Sequence, residues 1–219
     1  MRGPPRVEYD LGLRALQDRL VSLGGLAKKA LDRAVAGFKD RDLDLLRAVV
    51  AEDDLIDRER YAIEDRCIDL IATQQPTATD LRVLVTILHV SVELERIGDH
   101  AEGIAKIGIR MGGEPPLKPL IDIPRMADKA SEMLQGSLDA FVNRDVERAR
   151  LVSQADDEVD QLYRQIYHEL FVYMLQDTKA IERATYLLWA AHDIERIADR
   201  ATNIAERVVY VVTGRTPDK

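Results

Sequence analysis

At 219 residues the chain is long enough to bury one sizeable core or two small ones. Hydrophobic residues make up 46% of it and aromatics only 5%, with few β-branched runs, a balance that speaks against a sandwich or barrel and sets an all-α fold as the expectation. A formal net charge of −8 speaks against nucleic acid and anionic membrane surfaces, whose binding rests on Lys and Arg, and leaves cations and basic proteins as partners.

Past Arg2-Gly3-Pro4-Pro5, apolar residues recur at helical spacing through Leu13, Leu16, Leu20, Leu23, Ala27, Leu31, Val35 and Phe38, which predicts a long first helix ending near Lys39-Asp40-Arg41. Asp42 is the expected N-cap of a second helix over about 43–71. Pro76 breaks the pattern, and Thr77 with Asp80 resembles a capping box opening a third helix over about 78–111. Gly112-Gly113-Glu114-Pro115-Pro116-Leu117-Lys118-Pro119 reads as a linker, about 112–120. A fourth helix to about 142, a fifth over about 145–175 and a sixth over about 179–212 complete two sets of three, with domains expected at 1–113 and 114–219.

The sets are copies of one another. Glu95 to Ala105 and Glu195 to Ala205 both read Glu-Arg-Ile-x-Asp-x-Ala-x-x-Ile-Ala, 100 residues apart. Upstream, Phe38-Lys-Asp-Arg-Asp42 matches Phe141-Val-Asn-Arg-Asp145, and Asp53-Asp54-Leu-Ile-Asp57 matches Asp156-Asp157-Glu-Val-Asp160, both at an offset of 103. The difference of three falls in the loop after the second helix, where such changes are absorbed.

Residues four apart share a helix face, so Asp53 with Asp57, Glu95 with Asp99, Asp156 with Asp160 and Glu195 with Asp199 are paired carboxylates, with Glu102 one turn further in the first copy. If the two pairs of a half converged, charges about 4 Å apart would repel by about 4 kcal/mol per pair at an effective dielectric near 20. A divalent cation would invert that cost, and oxygen-only donors point to magnesium, manganese, calcium or iron before zinc. The plainer alternative is a solvated face neutralised by arginines such as Arg60 and Arg164. His100 is expected to face away from the carboxylates, His192 to be structural, and Trp189 and the other aromatics to be packing.

Cys67 is the lone cysteine, and Leu170 takes its place in the second copy, so a buried apolar position is expected rather than a nucleophile. No targeting segment is visible in Met1 to Asp10, and the longest uncharged apolar stretch, 83–92, is about half of the ~20 residues of a membrane span. A cytoplasmic protein without membrane insertion is expected. No phosphate-binding glycine loop and no Ser/His/Asp or Cys/His arrangement is present, so catalysis is not expected.

The tandem halves, the six helices and the Glu-Arg-Ile-Gly-Asp-His-Ala phrase at 95–101 with its echo at 195–201 resemble the PhoU family of bacterial phosphate-signalling regulators over nearly the whole chain. That resemblance implies two three-helix bundles in pseudo-twofold symmetry whose acidic motifs hold multinuclear metal in some members. The ligands it implies are Asp53, Asp57, Glu95 and Asp99 in one half and Asp156, Asp160, Glu195 and Asp199 in the other, for magnesium, manganese, iron or zinc. The family usually has Asn at position 103 and Gly-Asp-His where this chain has Ala198-Asp199-Arg200, so Arg200 is expected to lower the charge at the second cluster. The function implied is a cytoplasmic, homodimeric adaptor between a phosphate ABC transporter ATPase and a sensor histidine kinase. It represses the phosphate-starvation response and restrains uptake. The alternatives are a metal-free scaffold and a carboxylate-bridged di-metal oxidoreductase, though the Glu-x-x-His motif of such enzymes is missing because positions 98 and 198 are Gly and Ala.

Overall fold

The computed structural model describes residues 7–113, 115 and 117–215, and six long helices account for nearly all of them. They are α1 (Val7–Asp40), α2 (Leu43–Gln74), α3 (Ala78–Met111), α4 (Asp122–Asn143), α5 (Val146–Gln176) and α6 (Ile181–Thr213), with a single 3₁₀ turn at Thr178–Ala180 before the last. The expected helices are all present, with ends within a few residues of those read from the sequence.

The two hairpins that open the halves are built alike. Asp42 accepts hydrogen bonds from the backbone N–H of Asp44 and Leu45, and Asp145 accepts one from Arg148, so both carboxylates cap the helices they precede. The residue before each cap, Arg41 at φ 58° and Arg144 at φ 52°, is left-handed, which lets the cap N–H return to Gly37 and Ala140 respectively, at 2.9 Å in each case. The capping box expected at Thr77 takes a different form. The hydroxyl donates to the Asp80 carboxylate at 2.7 Å and bonds no backbone N–H, so the two side chains meet each other rather than capping the helix backbone.

Within each half the three helices pack on one another, and the halves join where α3 meets α6 and α1 meets α4. The outer helices α2 and α5 lie on opposite flanks, which is the pseudo-twofold arrangement of two three-helix bundles. The α1 residues Leu16, Leu20, Leu23, Ala27 and Leu31 are wholly buried. Each buried leucine contributes about 1.5–3 kcal/mol through water removed from its surface. Ala101 and Ala105 on α3 and Ala198, Ala201 and Ala205 on α6 are all fully buried, and Gly103 of α3 comes close to Asp193 of α6, where an added Cβ would lie 2.9 Å from Oδ2. The buried apolar residues of both halves form one continuous cluster.

The connection between the halves is tethered. Lys118 is only 6% exposed, and its ammonium bonds Asp122 at 3.1 Å and also Glu169 of α5. Cys67 is fully buried, and burial pushes its thiol up to about 12, so it is a core side chain as Leu170 is in the second half. Among the described residues no helix is long and apolar enough to cross a membrane.

Candidate metal centre

In the first half, α2 and α3 bring the carboxylates of Asp53, Asp57 and Asp99 together, with one oxygen of each inside a 4.8 Å cluster. The approach depends on Gly98. A Cβ there would lie 2.8 Å from Cδ1 of Ile56 and 3.4 Å from Oδ1 of Asp53, so the bare backbone lets α2 settle against the acidic stripe of α3. The second half solves the same contact by trading volumes. It has Ala198 where the first has Gly98, and Val159 where the first has Ile56, both fully buried.

The clustering shows in the acidities. Asp53 is pushed up to about 6, first by burial and then by Glu102, Asp99 and Asp57. Asp99 is raised by burial and Asp57, against the relief offered by His100. Glu95 is raised by burial and Asp99, with Arg60 opposing, so it lies within the field of the cluster but outside the three oxygens that converge. Arg60 is turned away to Glu64, and its guanidinium lies 3.9 Å over the Tyr61 ring. Glu102 faces the group and is held by Lys106 at 2.5 Å. Three convergent hard oxygens with a fourth carboxylate nearby fit a hard divalent cation, and the raising of Asp53, Asp99 and Glu95 is a cost that such an ion removes.

The second half is arranged differently. Burial pushes Asp156 up to about 6, followed by Asp199, Asp160 and Glu195, so these acids feel one another's charge, but among the described residues only Asp53, Asp57 and Asp99 bring their oxygens together in one convergent group. Here an arginine has moved in. Arg196 grips Glu195 through two bonds, 2.7 and 3.0 Å, and reaches Asp199 at 3.1 Å. Asp160 makes only a loose exposed pair with Arg164 at 3.9 Å. The charge at this cluster is therefore lowered by Arg196 and not by Arg200, as the sequence suggests. Arg200 points the other way, to Glu93 on α3 at 3.2 Å, where Asn203 also donates at 3.2 Å.

The histidines divide as well. His100 faces away from the carboxylates, as expected, but it meets Asp193 of α6 at 3.0 Å and so joins the halves. His192 lies 3.7 Å from Glu195 and against the Tyr163 ring, with centroids 6.0 Å apart. Trp189 is not core packing. It is 47% exposed, with its edge toward Tyr186. The pairing of Glu93 with Arg200 and of Asp193 with His100 went unread in the sequence, although the alignment sets acid on acid at 93 and 193 and base on base at 100 and 200.

A family model described as the PhoU domain matches this chain twice, over residues 20–108 and 123–208. Relatives over nearly its full length include a "Phosphate-specific transport system accessory protein PhoU homolog" of Clostridium acetobutylicum, 36% identical over 96% of each chain. The Escherichia coli protein of that name, without "homolog", is 32% identical over 95% of this chain and 86% of its own. The crystal structure of PhoU from Pseudomonas aeruginosa superposes with a TM-score of 0.91 at 35% identity, covering 94% of this chain and all of that one. The phosphate transport system regulatory protein PhoU from Streptococcus pneumoniae follows at 0.89 and 29% identity, covering 96% of this chain and all of that one. With the duplicated helices, the paired acidic motifs and these full-length similarities together, the chain belongs to the PhoU family.

Proposed function

We propose that this protein restrains phosphate uptake and keeps the phosphate-starvation response off when phosphate is plentiful, as a cytoplasmic adaptor between the ATPase of a phosphate ABC transporter and a sensor histidine kinase. The observation that carries this reading is full-length similarity to proteins named as accessory to a phosphate-specific transport system. The absence of a helix able to cross a membrane, among the described residues, fits a protein that works on membrane partners from outside the bilayer. The chain acts by binding and not by catalysis, and its active form is a homodimer.

In this reading a divalent cation sits on Asp53, Asp57 and Asp99, with Glu95 and Glu102 beside them, and fixes α2 relative to α3. The second cluster of Asp156, Asp160, Glu195 and Asp199 is the weaker site because Arg196 already supplies positive charge there. The ion's role is structural: it screens like charges and leaves the helix faces in one orientation for the partners. Binding of the purified chain to the purified kinase and ATPase, with and without a chelator, tests this. The expected result is binding that weakens at least tenfold on chelation and in Asp57→Ala with Asp99→Ala. Binding indifferent to both removes the metal from the mechanism, and no binding to either protein removes the adaptor.

A further inference from the structure

The seam between α3 and α6 runs antiparallel and sets acid against base twice, Glu93 with Arg200 and Asp193 with His100. Ten residues further along α3 from His100, and ten back along α6 from Asp193, the same register brings Arg110 to Arg183. Here base meets base. Both line one pocket of about 80 Å³, with Met111, Pro115, Glu182 and Tyr186. At the other end of the seam the duplicated positions are Val83 and Tyr210, and Val83 is buried, so that end is closed by apolar packing.

Neither arginine has a hydrogen bond or ion pair among the described residues. Arg110 sits in the last turn of α3, where the helix dipole favours a cation. Arg183 has no such account. It lies in the first turn of α6, where the dipole disfavours positive charge, and it is half-buried at a position that valine fills in the first half. A guanidinium placed there without a partner costs free energy that a bound anion would return. Glu182 also lines the pocket, but it accepts from the Tyr186 hydroxyl at 3.1 Å and pairs with neither arginine. The lining therefore carries two positive charges against one negative, in a chain whose net charge is −8.

We propose that this pocket binds a small tetrahedral oxyanion of the phosphate and sulfate class between the guanidiniums of Arg110 and Arg183. Planar forks of N–H donors suit such oxygens, and charge-assisted bonds to them are about twice as strong as neutral ones. At about 80 Å³ the space holds roughly five waters, enough for one such ion and too little for a nucleotide. The bound anion joins the end of α3 to the start of α6, so it clamps the halves together where their like charges otherwise push apart. The site goes beyond the adaptor reading and does not depend on it.

Titration calorimetry of the full-length chain with inorganic phosphate, in chelator so that no metal can hold the anion, tests it. Two charge-assisted contacts predict one site per chain with a dissociation constant of about 1 mM or below. Sulfate should compete for it. Binding should weaken at least tenfold in Arg183→Val and in Arg110→Gln, and less than twofold in Arg82→Gln, which removes an arginine at the other end of the seam. Arg183→Val copies the first half, so it should fold, and its melting temperature should no longer rise with phosphate as that of the wild-type chain does. Glu182→Gln should tighten binding. No binding, binding kept in Arg183→Val, or an equal loss in Arg82→Gln would overturn the proposal. Binding lost in Arg183→Val while the starvation response stays repressed would uphold the site and separate it from the regulatory reading.

Discussion

Arg200 on α6 places its guanidinium 3.2 Å from the carboxylate of Glu93 on α3, so a side chain from the second copy of the repeated phrase bonds to the helix that carries the first. The symmetry-related pair runs the opposite way, His100 of α3 to Asp193 of α6 at 3.0 Å. The duplication therefore specifies its own interface. Each copy supplies one acid and one base, and the seam closes in only one register.

Removal of Arg200 strands Glu93, whose side chain is only 19% exposed, with Asn203 as its remaining donor. Arg200→Ala should cost about 1–3 kcal/mol, because a half-buried carboxylate loses its counter-charge. For a chain of this size that lowers the melting temperature by roughly 2–4 °C per kcal/mol, read by calorimetry. Glu93→Gln together with Arg200→Gln should recover part of the loss, since it removes both charges at once.

Gly98→Ala tests how α2 sits on α3. The added methyl meets Ile56 at 2.8 Å, and overpacking of a full core costs about 1–3 kcal/mol. Ile56→Val in the same chain recreates the Ala198 and Val159 pairing of the second half, and the double variant should be more stable than Gly98→Ala alone. Additive effects in the cycle would show that the two positions do not share this space.

The acidic clusters set an unusual pH dependence. Asp53 and Asp156 titrate near 6 in the folded chain, above an unfolded value of about 3.9, so between about pH 6 and 4 the folded state holds protons that the unfolded state has lost. Their contribution to stability therefore rises as pH falls through 6 and fades as pH is raised through it. In chelator, the melting temperature should climb on going from pH 7.5 to 5.5. With a saturating divalent cation the gain should shrink or reverse, because protons now compete with the ion.

Arg196 should decide how many ions bind. The wild-type chain is expected to take up manganese at the first cluster with higher affinity than at the second, and Arg196→Ala should strengthen the weaker step by removing the resident cation. Isothermal titration reads both steps. An unchanged second step would show that the guanidinium yields to metal without cost.

The helices were readable because their apolar residues keep a period near 3.6 and their ends carry caps and prolines. Asp42, Asp145 and Pro76 locate boundaries that the structure keeps. The convergence of Asp53, Asp57 and Asp99 was readable because two motifs survived duplication on two helices. What escaped depends on which face of α3 meets α6, a matter of packing between distant segments. His100 and Arg200 were judged by distance from the acidic stripe, and only the α3 and α6 seam gives them partners. Arg196 looked like one arginine among many until its side chain folded back on Glu195, and Trp189 looked like core because exposure is not written in a local pattern.

The most direct test is alkaline phosphatase activity in phosphate-rich medium after deletion of the gene from its own host. Constitutively high activity, returned to the repressed level by the wild-type gene, is the predicted result for a protein that holds the starvation response off. Activity that stays repressed without the gene, in a host with no second copy, would contradict that role.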